Sequence, residues 1–444
     1  MKQLLDNFFK LDAHQTTIQK EVIAGVTTFM TMAYIIVVNP QILSETGMDH
    51  SALITSTILA SMIATLIMAF YAKLPFGLAP GMGINAFFAY TIVLQMGYSW
   101  ELALTAVFLE GIIFLLLTFF NIREAIVNSI PINIKHAVSV GIGLFIALIG
   151  LNSANIVVTG IEAGTDGALT GNILQMGNIN SPSVLTALSG LLITAVLLAL
   201  RIKGALLIGI LFTTLIGVPF GVTELPDNTE FVSMPPSVEP LFFKIQLDRI
   251  FSSNMMVILF TLLFVDMFSA VGTLIGVGAK AGMLDKDGRL PRAKQALFSD
   301  AAGTTLGSLL GTSTVTTYVE SAAGIAEGGK TGLTALVIAS FFGLALFLSP
   351  IFLIIPEAAT APALILVGYF MISPIREIDF DDYTEALPAF LTIVIMPMTY
   401  SIAEGVVFGI LSYVLLKLLT NRGREVSLLI YILAAIFILR FIIQ

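Results

Sequence analysis

Apolar runs of about 20 residues recur from one end of the chain to the other, separated by short polar stretches. A helix needs about this length to cross the hydrocarbon core of a bilayer. In the first part of the chain the predicted spans lie near 21–38, 51–72, 76–95, 101–121, 136–151, 182–200 and 204–221. After a polar stretch they resume near 254–279, 296–311, 312–328, 332–350, 357–375, 386–400 and 402–419. The pattern predicts an all-α polytopic membrane protein with 14 transmembrane spans, and it leaves open whether 427–443 spans or lies on the membrane.

The composition narrows the classes of function. Of the 444 residues, 57% are hydrophobic and 11% are charged, whereas soluble domains carry about 25% charged residues. No separate soluble domain is expected, and nothing indicates nucleic-acid binding. The chain has no Cys and three scattered His, so we expect no thiol chemistry, no metal site and no cofactor. The polar N-terminus lacks a cleavable signal pattern, so the first apolar run should remain in the mature protein.

The positive charges test this topology independently. With the N-terminus in the cytoplasm, the 21 Lys and Arg all fall at the inner side except Lys244, Arg249 and Arg440. Lys and Arg concentrate in cytoplasmic loops. Dropping one span between 254 and 420 would invert every later loop and so spoil this bias. The sequence therefore predicts a multi-pass protein of the cell inner membrane, surrounded by lipid, with a cytoplasmic N-terminus.

The spans divide into two sets of seven, 1–250 and 251–444. Because seven is an odd number, two halves that share a fold must be inverted relative to each other, as in inverted-repeat transporters. A weak internal match supports this arrangement. Pro131 precedes Gly143 by twelve positions, and Pro356 precedes Gly368 by twelve.

The third and tenth spans correspond by rank in the two halves, and neither has the pattern of a regular helix. The third has three Gly and two Pro within about ten positions of 74–85, and the tenth begins with the β-branched hydroxyl run 312–317. Unwound backbone is tolerated at membrane depth only where it is buried in protein or lines a cavity. We therefore expect strand-like breaks that meet at a central substrate site. The alternative is that Gly and Pro only allow close helix packing.

Acidic residues far from any loop are costly in a membrane and are candidates for function. Asp266 lies in the middle of the eighth span, and Glu320 follows the hydroxyl run directly. Each must be protonated, bound to a cation or hydrogen-bonded to substrate, which are the states that a cation-coupled carrier interconverts. Glu110 in the fourth span allows either a structural or a coupling role, and Glu404 at a helix N-terminus is expected to be structural.

One segment has the spacing of a nucleotide-binding motif. Gly324 to Thr331 matches the Walker A pattern. A phosphate-binding loop needs a soluble parallel sheet around it, whereas membrane spans flank this segment. We interpret it as a Gly-rich cytoplasmic turn with Lys330 as a positive-inside anchor.

Several strings resemble the AzgA-like purine permeases, within the nucleobase:cation symporter-2 (xanthine/uracil permease-like) family. They are Glu21 to Phe29, Val38 to Pro40, Ala79 to Phe88, Gly272 to Gly276 and Gly311 to Thr334. The resemblance implies two inverted repeats of seven spans. It also implies a core domain, which holds the substrate between the third, eighth and tenth spans, and a gate domain against which the core moves, both interleaved from the two repeats. Carried over to this sequence, Asn85, Asp266 and Glu320 match positions expected to contact the purine or its coupling ion.

A neutral planar base fits the chemistry expected of this site. Carboxylates accept hydrogen bonds from purine donors, and the ring faces can stack on an aromatic side chain. The predicted substrate-binding residues are Asn85, Phe87, Asp266, Ser269, Thr317, Tyr318 and Glu320, with Phe88 as an alternative stacking partner. Asp266 and Glu320 are the predicted ion-coupling residues. The predicted function is uptake of adenine, guanine or hypoxanthine by cation symport, with H⁺ favoured over Na⁺.

Ser269 marks a departure from the family pattern, which usually has a second acid three residues after the Asp266 position. The two positions share a helix face, so the purine preference stays open. The alternatives are an anion carrier of the sulfate-permease type, which a carboxylate-lined pocket disfavours, and a channel. The sequence also leaves the oligomeric state open, with a homodimer among the arrangements it allows.

Overall fold

The structure is a computed structural model that describes residues 6–443 with several gaps. The gaps are 7, 121–130, 161, 164–168, 171–173, 226–230, 247–249 and most of 251–289, where it describes only 255, 258, 259, 262, 263, 266, 273, 274, 277, 278 and 283.

The first half is helical apart from short strands. Its helices are α1 (Ile18–Met32), α2 (Ile35–Ser44), α3 (His50–Ile67), α4 (Met82–Ala86), α5 (Trp100–Phe119), α6 (Ile132–Ser153), α7 (Pro182–Ala199) and α8 (Ala205–Gly217). Helices α3 and α4 continue as π-helix over Met68–Ala72 and Phe87–Gln95. Its strands are β1 (Leu78–Pro80), β2 (Val157–Val158), β3 (Glu162–Ala163), β4 (Leu169–Thr170) and β5 (Gln175–Met176).

The described residues of the second half are also mostly helical. Its described elements are α9 (Ala293–Leu310), β6 (Val315–Thr317), α10 (Ser321–Ala326), α11 (Gly332–Ala345), a 3₁₀ turn (Leu346–Leu348), α12 (Ser349–Leu353), α13 (Glu357–Met371), a 3₁₀ turn (Ser373–Glu377), α14 (Tyr383–Met398), α15 (Ile402–Leu419), a 3₁₀ turn (Gly423–Glu425) and α16 (Leu428–Ile443).

Side-chain caps fix where several helices begin. Asp49 accepts a hydrogen bond from the backbone N–H of Ala52 before α3, and Ser99 and Ser181 cap α5 and α7 in the same way. A capping oxygen satisfies a backbone donor that has no partner within the helix. These caps therefore mark the ends of apolar segments at the polar loops.

Eight helices in the described part of the chain are long and apolar enough to cross a membrane. They are Ile18–Ser44, His50–Ala72, Trp100–Phe119, Ile132–Ser153, Pro182–Ala199, Gly332–Leu353, Glu357–Glu377 and Ile402–Leu419. Shorter apolar helices are Met82–Gln95, Ala205–Gly217, Tyr383–Met398 and Leu428–Ile438. The protein is thus a mostly helical, multi-pass membrane protein. The predicted span 254–279 lies mostly outside the described residues.

Two glycines bring α6 and α13 into backbone contact. A Cβ atom at Gly143 would lie 2.7 Å from the carbonyl oxygen of Gly368, and one at Gly368 would lie closer still to the carbonyl oxygen of Gly143. Small residues allow this close approach of membrane helices. The two glycines are the ones that end the matching Pro–Gly intervals of the sequence.

Candidate functional site

The two segments predicted to be extended pair with each other inside the protein. β1 and β6 are antiparallel, with Leu78 opposite Thr317 and Pro80 opposite Val315. Both strands are buried, and each leads directly into a short helix, α4 or α10. The predicted strand-like breaks at 76–95 and 312–328 are therefore present, and they meet.

Backbone hydrogen bonds extend this pairing at both ends. The N–H of Gly81 donates to the carbonyl of Thr314 (2.9 Å), and the N–H of Tyr318 donates to the carbonyl of Gly77 (2.9 Å). Gly81 is the N-cap residue of α4. Buried backbone groups need partners, and here each broken segment supplies them to the other.

One threonine on a neighbouring helix completes each strand. Thr65 of α3 accepts from the N–H of Leu78 and donates to its carbonyl, at 3.0 and 3.1 Å. Thr304 of α9 does the same for Val315, at 3.2 and 3.0 Å. The same pair of hydrogen bonds from a threonine therefore stabilises both β1 and β6.

The hydroxyl run before and within β6 sends its side chains to four different helices. In chain order, Thr312 Oγ1 accepts from Asn39 Nδ2 (3.1 Å), Ser313 Oγ donates to Asn85 Oδ1, Thr314 Oγ1 donates to Glu110 Oε2 (2.7 Å) and Thr317 Oγ1 donates to Asp300 Oδ1 (2.8 Å). All eight of these residues are buried. The run is therefore fixed by α2, α4, α5 and α9 together.

Glu320 lies where β6 gives way to α10, as the N-cap residue of that helix. Its Oε1 accepts a hydrogen bond of 2.8 Å from the hydroxyl of Tyr34, and its side chain is partly exposed. The hydroxyl of Tyr318 donates to the carbonyl of Pro80 at 2.5 Å. The hydroxyl of Tyr318, which follows β6, thus links that segment to β1.

The other predicted site residues differ in how far the structure describes them. Asn85 is buried in α4, and its Nδ2 has no hydrogen-bond partner among the described residues. Phe87 is fully buried at the start of the π-helical stretch. Asp266 is helical and 2% exposed, whereas Ser269 lies outside the described residues. The structure therefore brings Asn85, Thr317, Tyr318 and Glu320 to the paired breaks.

Sequence reasoning did not single out Asp300 as part of this region. It lies in the second turn of α9 and is 2% exposed. The stripe of Gly303 and Gly307 that follows it is the available signal, because a Cβ at either glycine would contact Val315. An acid followed by small residues at helical spacing indicates a face packed against another segment.

The Walker-like segment has a structural partner. The carboxylate of Glu21 is fully buried and accepts hydrogen bonds from the backbone N–H groups of Lys330, Thr331 and Thr334 and from both threonine hydroxyls. A helix N-terminus favours an anion, and here the protein's own carboxylate occupies that position before α11. The interpretation of the segment as a turn agrees with this arrangement.

At the end of the bundle where α2 stops and α13 begins, the two helices are bonded together. Thr360 donates to Gln41 Oε1, and Gln41 Nε2 donates to the carbonyl of Ile355 at 3.4 Å. Glu45 lies nearby and accepts a hydrogen bond of 2.7 Å from Tyr90. Burial raises the pKa of the Glu45 carboxyl, and this hydrogen bond opposes the rise only in part.

The third span is bonded to the connection between α14 and α15 at the same end. Thr91 donates to the carbonyl of Tyr400 at 3.2 Å, and Gln95 donates to the carbonyl of Thr399 at 3.3 Å. The rings of Tyr90, Phe145 and Tyr400 pack edge to face beside these bonds. This end of the bundle is therefore closed by direct contacts.

The opposite end carries a buried ion-pair cluster. Lys417 of α15 is fully buried, and its Nζ lies 2.8 Å from Glu385 Oε1 and 2.7 Å from Glu425 Oε2. Asn133 of α6 donates to the other oxygen of Glu385 at 2.9 Å. The cluster ties α6, α14 and α15 into one unit, since breaking a buried pair leaves an uncompensated charge.

Arg422 continues the cluster into the surface loop. It lies 2.5 Å from Asp382 and 2.8 Å from Glu425. These hydrogen bonds from the guanidinium hold the pKa of both carboxyls at about 2.

In the described part of the chain no group of three or more His, Asp or Glu could hold a metal ion.

The chain matches one family of known proteins along almost its whole length. The family model described as "Permease family" (Xan_ur_permease) covers residues 19–440. A permease of Methanocaldococcus jannaschii is 48% identical over 440 residues, covering 99% of this chain and 98% of that protein. Adenine permease AdeP of Escherichia coli is 42% identical, covering 99% and 96%. Guanine/hypoxanthine permease PbuG of Bacillus subtilis is 40% identical, covering 99% of each.

Solved structures share the fold at much lower sequence identity. The transmembrane domain of the cyanobacterial bicarbonate transporter BicA aligns with a TM-score of 0.62 at 16% identity, covering 87% of this chain and 96% of that one. The murine Solute Carrier 26 family member A9 anion transporter aligns with a TM-score of 0.64 at 12% identity, covering 95% and 72%. At these identities the likeness concerns the fold alone.

Proposed function

Because the chain belongs to the nucleobase:cation symporter-2 family of permeases, we propose that it takes up a purine nucleobase by cation symport. Its relatives are permeases, not enzymes. The observation that carries the proposal is the meeting of the two broken segments, β1 with β6, beside Glu320. Adenine, guanine and hypoxanthine are the candidate substrates, because permeases for these bases are 40–42% identical to the chain.

The groups at the paired breaks suit a neutral base. Asn85 offers a buried amide donor without a partner among the described residues, and the carboxylate of Glu320 offers acceptors. A purine carries both donors and acceptors on its edge, so such a pair can be satisfied by one ligand. We propose Asp266, Ser269 and Thr317 as further pocket residues, with Phe87 or Tyr318 against the ring face.

We propose that the fold is built of 14 spans in two inverted repeats, 1–250 and 251–444. The support is that corresponding parts of the two halves meet or match. Thr65 closes β1 as Thr304 closes β6, and Gly143 contacts Gly368. These are the contacts that a two-fold axis in the membrane plane would produce.

The helix contacts suggest how the two domains divide. The proposed core domain comprises α1–α5, β1, β6, α9–α12 and the span at 254–279, and the proposed gate domain comprises α6–α8 and α13–α15. Helix α6 packs on α13, α14 and α15, whereas α9 packs on α3 and α5. Transport would then consist of movement of the core along the gate, which carries the site at the strand pair across the membrane.

We propose that the structure represents a state closed to the outside. With a cytoplasmic N-terminus, α2 ends at the outer surface, where Gln41 of the core bonds to Thr360 and Ile355 of the gate. Thr91 and Gln95 add two further bonds between the domains. An inner-membrane location and a homodimer are part of the same proposal.

H⁺ is the proposed coupling ion. Asp266 and Glu320 are acids in the proposed membrane interior, and protonation is the simplest way to alternate their charge. Na⁺ is the alternative. An anion carrier is not favoured, because the bicarbonate and Solute Carrier 26 structures share only the fold, whereas the adenine permease AdeP and the guanine/hypoxanthine permease PbuG are 40–42% identical to the chain.

The test is uptake of radiolabelled purine into proteoliposomes under an imposed pH gradient. Saturable, concentrative uptake is expected, inhibited by unlabelled purines but not by sulfate or bicarbonate. A protonophore should abolish accumulation while leaving purine exchange intact. Uptake that does not saturate would indicate a channel, and inhibition by sulfate alone would indicate an anion carrier.

A further inference from the structure

Glu110 is a buried acid for which the proposed function has no role. It lies in the middle of α5 and has no exposed surface. At Gly111, the next residue, a Cβ would lie 2.8 Å from the backbone nitrogen of Thr305, so α5 and α9 are in close contact at this level. A carboxylate in such an interior is costly to maintain for packing alone, since a Gln or Leu of similar volume would fill the space.

Glu110 is connected directly to the strand of the substrate site. Its Oε2 accepts the hydrogen bond of 2.7 Å from Thr314 Oγ1. Thr314 precedes β6, and its carbonyl accepts from Gly81, the N-cap residue of α4. Its neighbour Ser313 donates to Asn85. The Glu110 carboxyl is thus one hydrogen bond away from the segment of β6 and two away from the segment of β1 and α4.

The two protonation states of Glu110 differ in the positions that they allow for the Thr314 hydroxyl hydrogen. An ionised carboxylate only accepts, so Thr314 must donate to it. A protonated carboxyl has its own O–H and can donate to Thr314 Oγ1, which frees the threonine hydrogen for another acceptor. Only a protonated Glu110 can therefore reverse the direction of the hydrogen bond at the start of the strand.

We propose that Glu110 binds and releases a proton in each transport cycle and acts as a positioning residue for the Thr314 end of β6. This inference rests on the proposed proton-coupled purine uptake. The proton enters from the outer solution, converts the carboxylate to the acid and leaves to the cytoplasm. Ionised Glu110 holds Thr314 against α5, and protonated Glu110 lets the strand adopt its alternative hydrogen bonding.

The elements that pack against α5 carry other charged and titratable groups, whose contacts are distinct from that of Glu110. Asp300, on α9, holds the other end of β6 through Thr317. Lys294 lies at the start of α9 and donates to the carbonyl of Phe119 at the far end of α5. Tyr90, on the third span, is bonded to Glu45. Asp266 of the eighth span is buried as well.

The experiment measures the KM for purine against pH in proteoliposomes for wild type, Glu110→Gln and Glu101→Gln. Glu101 is the matched control, because it is an acid in the first turn of the same helix. One linked proton changes an affinity by up to about tenfold per pH unit. We expect the slope of log KM against pH to fall by about one for Glu110→Gln and to stay unchanged for Glu101→Gln. Purine exchange, which needs no net proton movement, should continue in both.

A wild-type slope retained by Glu110→Gln would overturn the inference, because a purely structural acid leaves the proton linkage unaltered. Wild-type protein without purine uptake would instead reject the proposed function itself. If Glu110→Gln does not insert into the membrane, the variants Thr314→Val and Thr314→Ser test the inference instead. Thr314→Val should shift the pH midpoint of KM and Thr314→Ser should restore it, whereas an unshifted midpoint in Thr314→Val would contradict the role of the hydrogen bond.

Discussion

Tyr34 and Glu320 are joined by a hydrogen bond of 2.8 Å, although 286 positions separate them in the chain. Tyr34 is 1% exposed and lies between α1 and α2, where the first span changes from one helix to the next. Its hydroxyl fixes one oxygen of the Glu320 carboxylate. The second oxygen, Oε2, is therefore the one presented for a ligand or a proton at the proposed site.

Glu320→Gln should abolish accumulation of purine against a gradient while leaving the protein folded and inserted. Gln keeps the size and can accept from Tyr34, but it cannot take up a proton. Tyr34→Phe should weaken purine binding by about ten-fold to a hundred-fold, since a hydrogen bond to a charged group contributes about 1.5–3 kcal/mol. Proteoliposome uptake with an imposed pH gradient measures both.

Glu327→Gln is the matched control for Glu320→Gln. Glu327 follows α10 and pairs with Lys203 in a solvent-accessible ion pair of 2.7 Å, which contributes little. The Glu327→Gln variant should transport purine like wild type. Concentrative uptake by Glu320→Gln would remove Glu320 from the mechanism.

Ser269→Asp should change selectivity among adenine, guanine and hypoxanthine, whereas Asp266→Ala should stop transport. Ser269 is one helical turn from Asp266 and is expected to contribute a hydroxyl to the same face. A new carboxyl there alters which purine donors and acceptors are satisfied, and an unmet buried group costs about 1–3 kcal/mol, about five-fold to a hundred-fold in affinity. Inhibition of labelled uptake by each base gives the ranking. An unchanged ranking would mean that Ser269 does not face the substrate.

Gly368→Ala should destabilise the protein by about 1–3 kcal/mol, because its Cβ would collide with the backbone of α6. Gly343→Ala is the control, since a Cβ there meets only the sulfur of the Met62 side chain, at 3.2 Å. The two variants are compared by thermal unfolding in detergent. The measured quantity is the fraction of protein that still elutes as a single peak in size-exclusion chromatography after heating. Equal stability would show that α6 and α13 can separate at low cost.

Asp382→Asn should lower the melting temperature by about 1–2 °C without changing the pH dependence of transport. The pKa of Asp382 is about 2, below its ordinary value of 3.8, because Arg422 donates to the ionised form. The stabilisation is therefore complete above about pH 4 and is lost as the pH falls through about 2. Between pH 5 and 8 this ion pair does not titrate. A shifted pH profile of uptake in Asp382→Asn would contradict this assignment.

Cysteines at both positions 41 and 360 should allow the transporter to be locked by oxidation. Gln41 and Thr360 are in hydrogen-bond contact across the proposed core–gate boundary, and the protein has no Cys of its own. Oxidation or a short bifunctional thiol reagent should abolish uptake, and reduction of the disulfide should restore it. Each single cysteine variant serves as the control. Full transport by the cross-linked protein would show that this end does not open.

The sequence was informative where a residue pattern had a local cause. Gly and Pro in 74–85 and the hydroxyl run of 312–317 predicted extended breaks, and these are β1 and β6. Predicted helix bounds were close as well, since the span expected near 136–151 is Ile132–Ser153. Apolar length and backbone propensity act over a few residues, so they are visible without knowledge of the fold.

What the sequence did not reveal depends on distant partners. Asp300 was overlooked because it lies near a predicted loop in the chain, and only Thr317 and the packing of α9 show that it is buried. Glu21 follows Lys20 at a helix start and has the pattern of an ordinary first-turn acid, yet it caps α11. Pairings across hundreds of residues are set by tertiary packing.

The cap that Glu21 forms on α11 has a consequence for biosynthesis. The ribosome delivers the first span to the membrane long before Lys330, Thr331 and Thr334 exist, so the Glu21 carboxylate must stay at the aqueous surface or remain protonated until then. β1 likewise waits for β6. Neither half of the chain can complete its own structure, and nascent protein released before about residue 334 should be recognised by membrane quality control as unassembled.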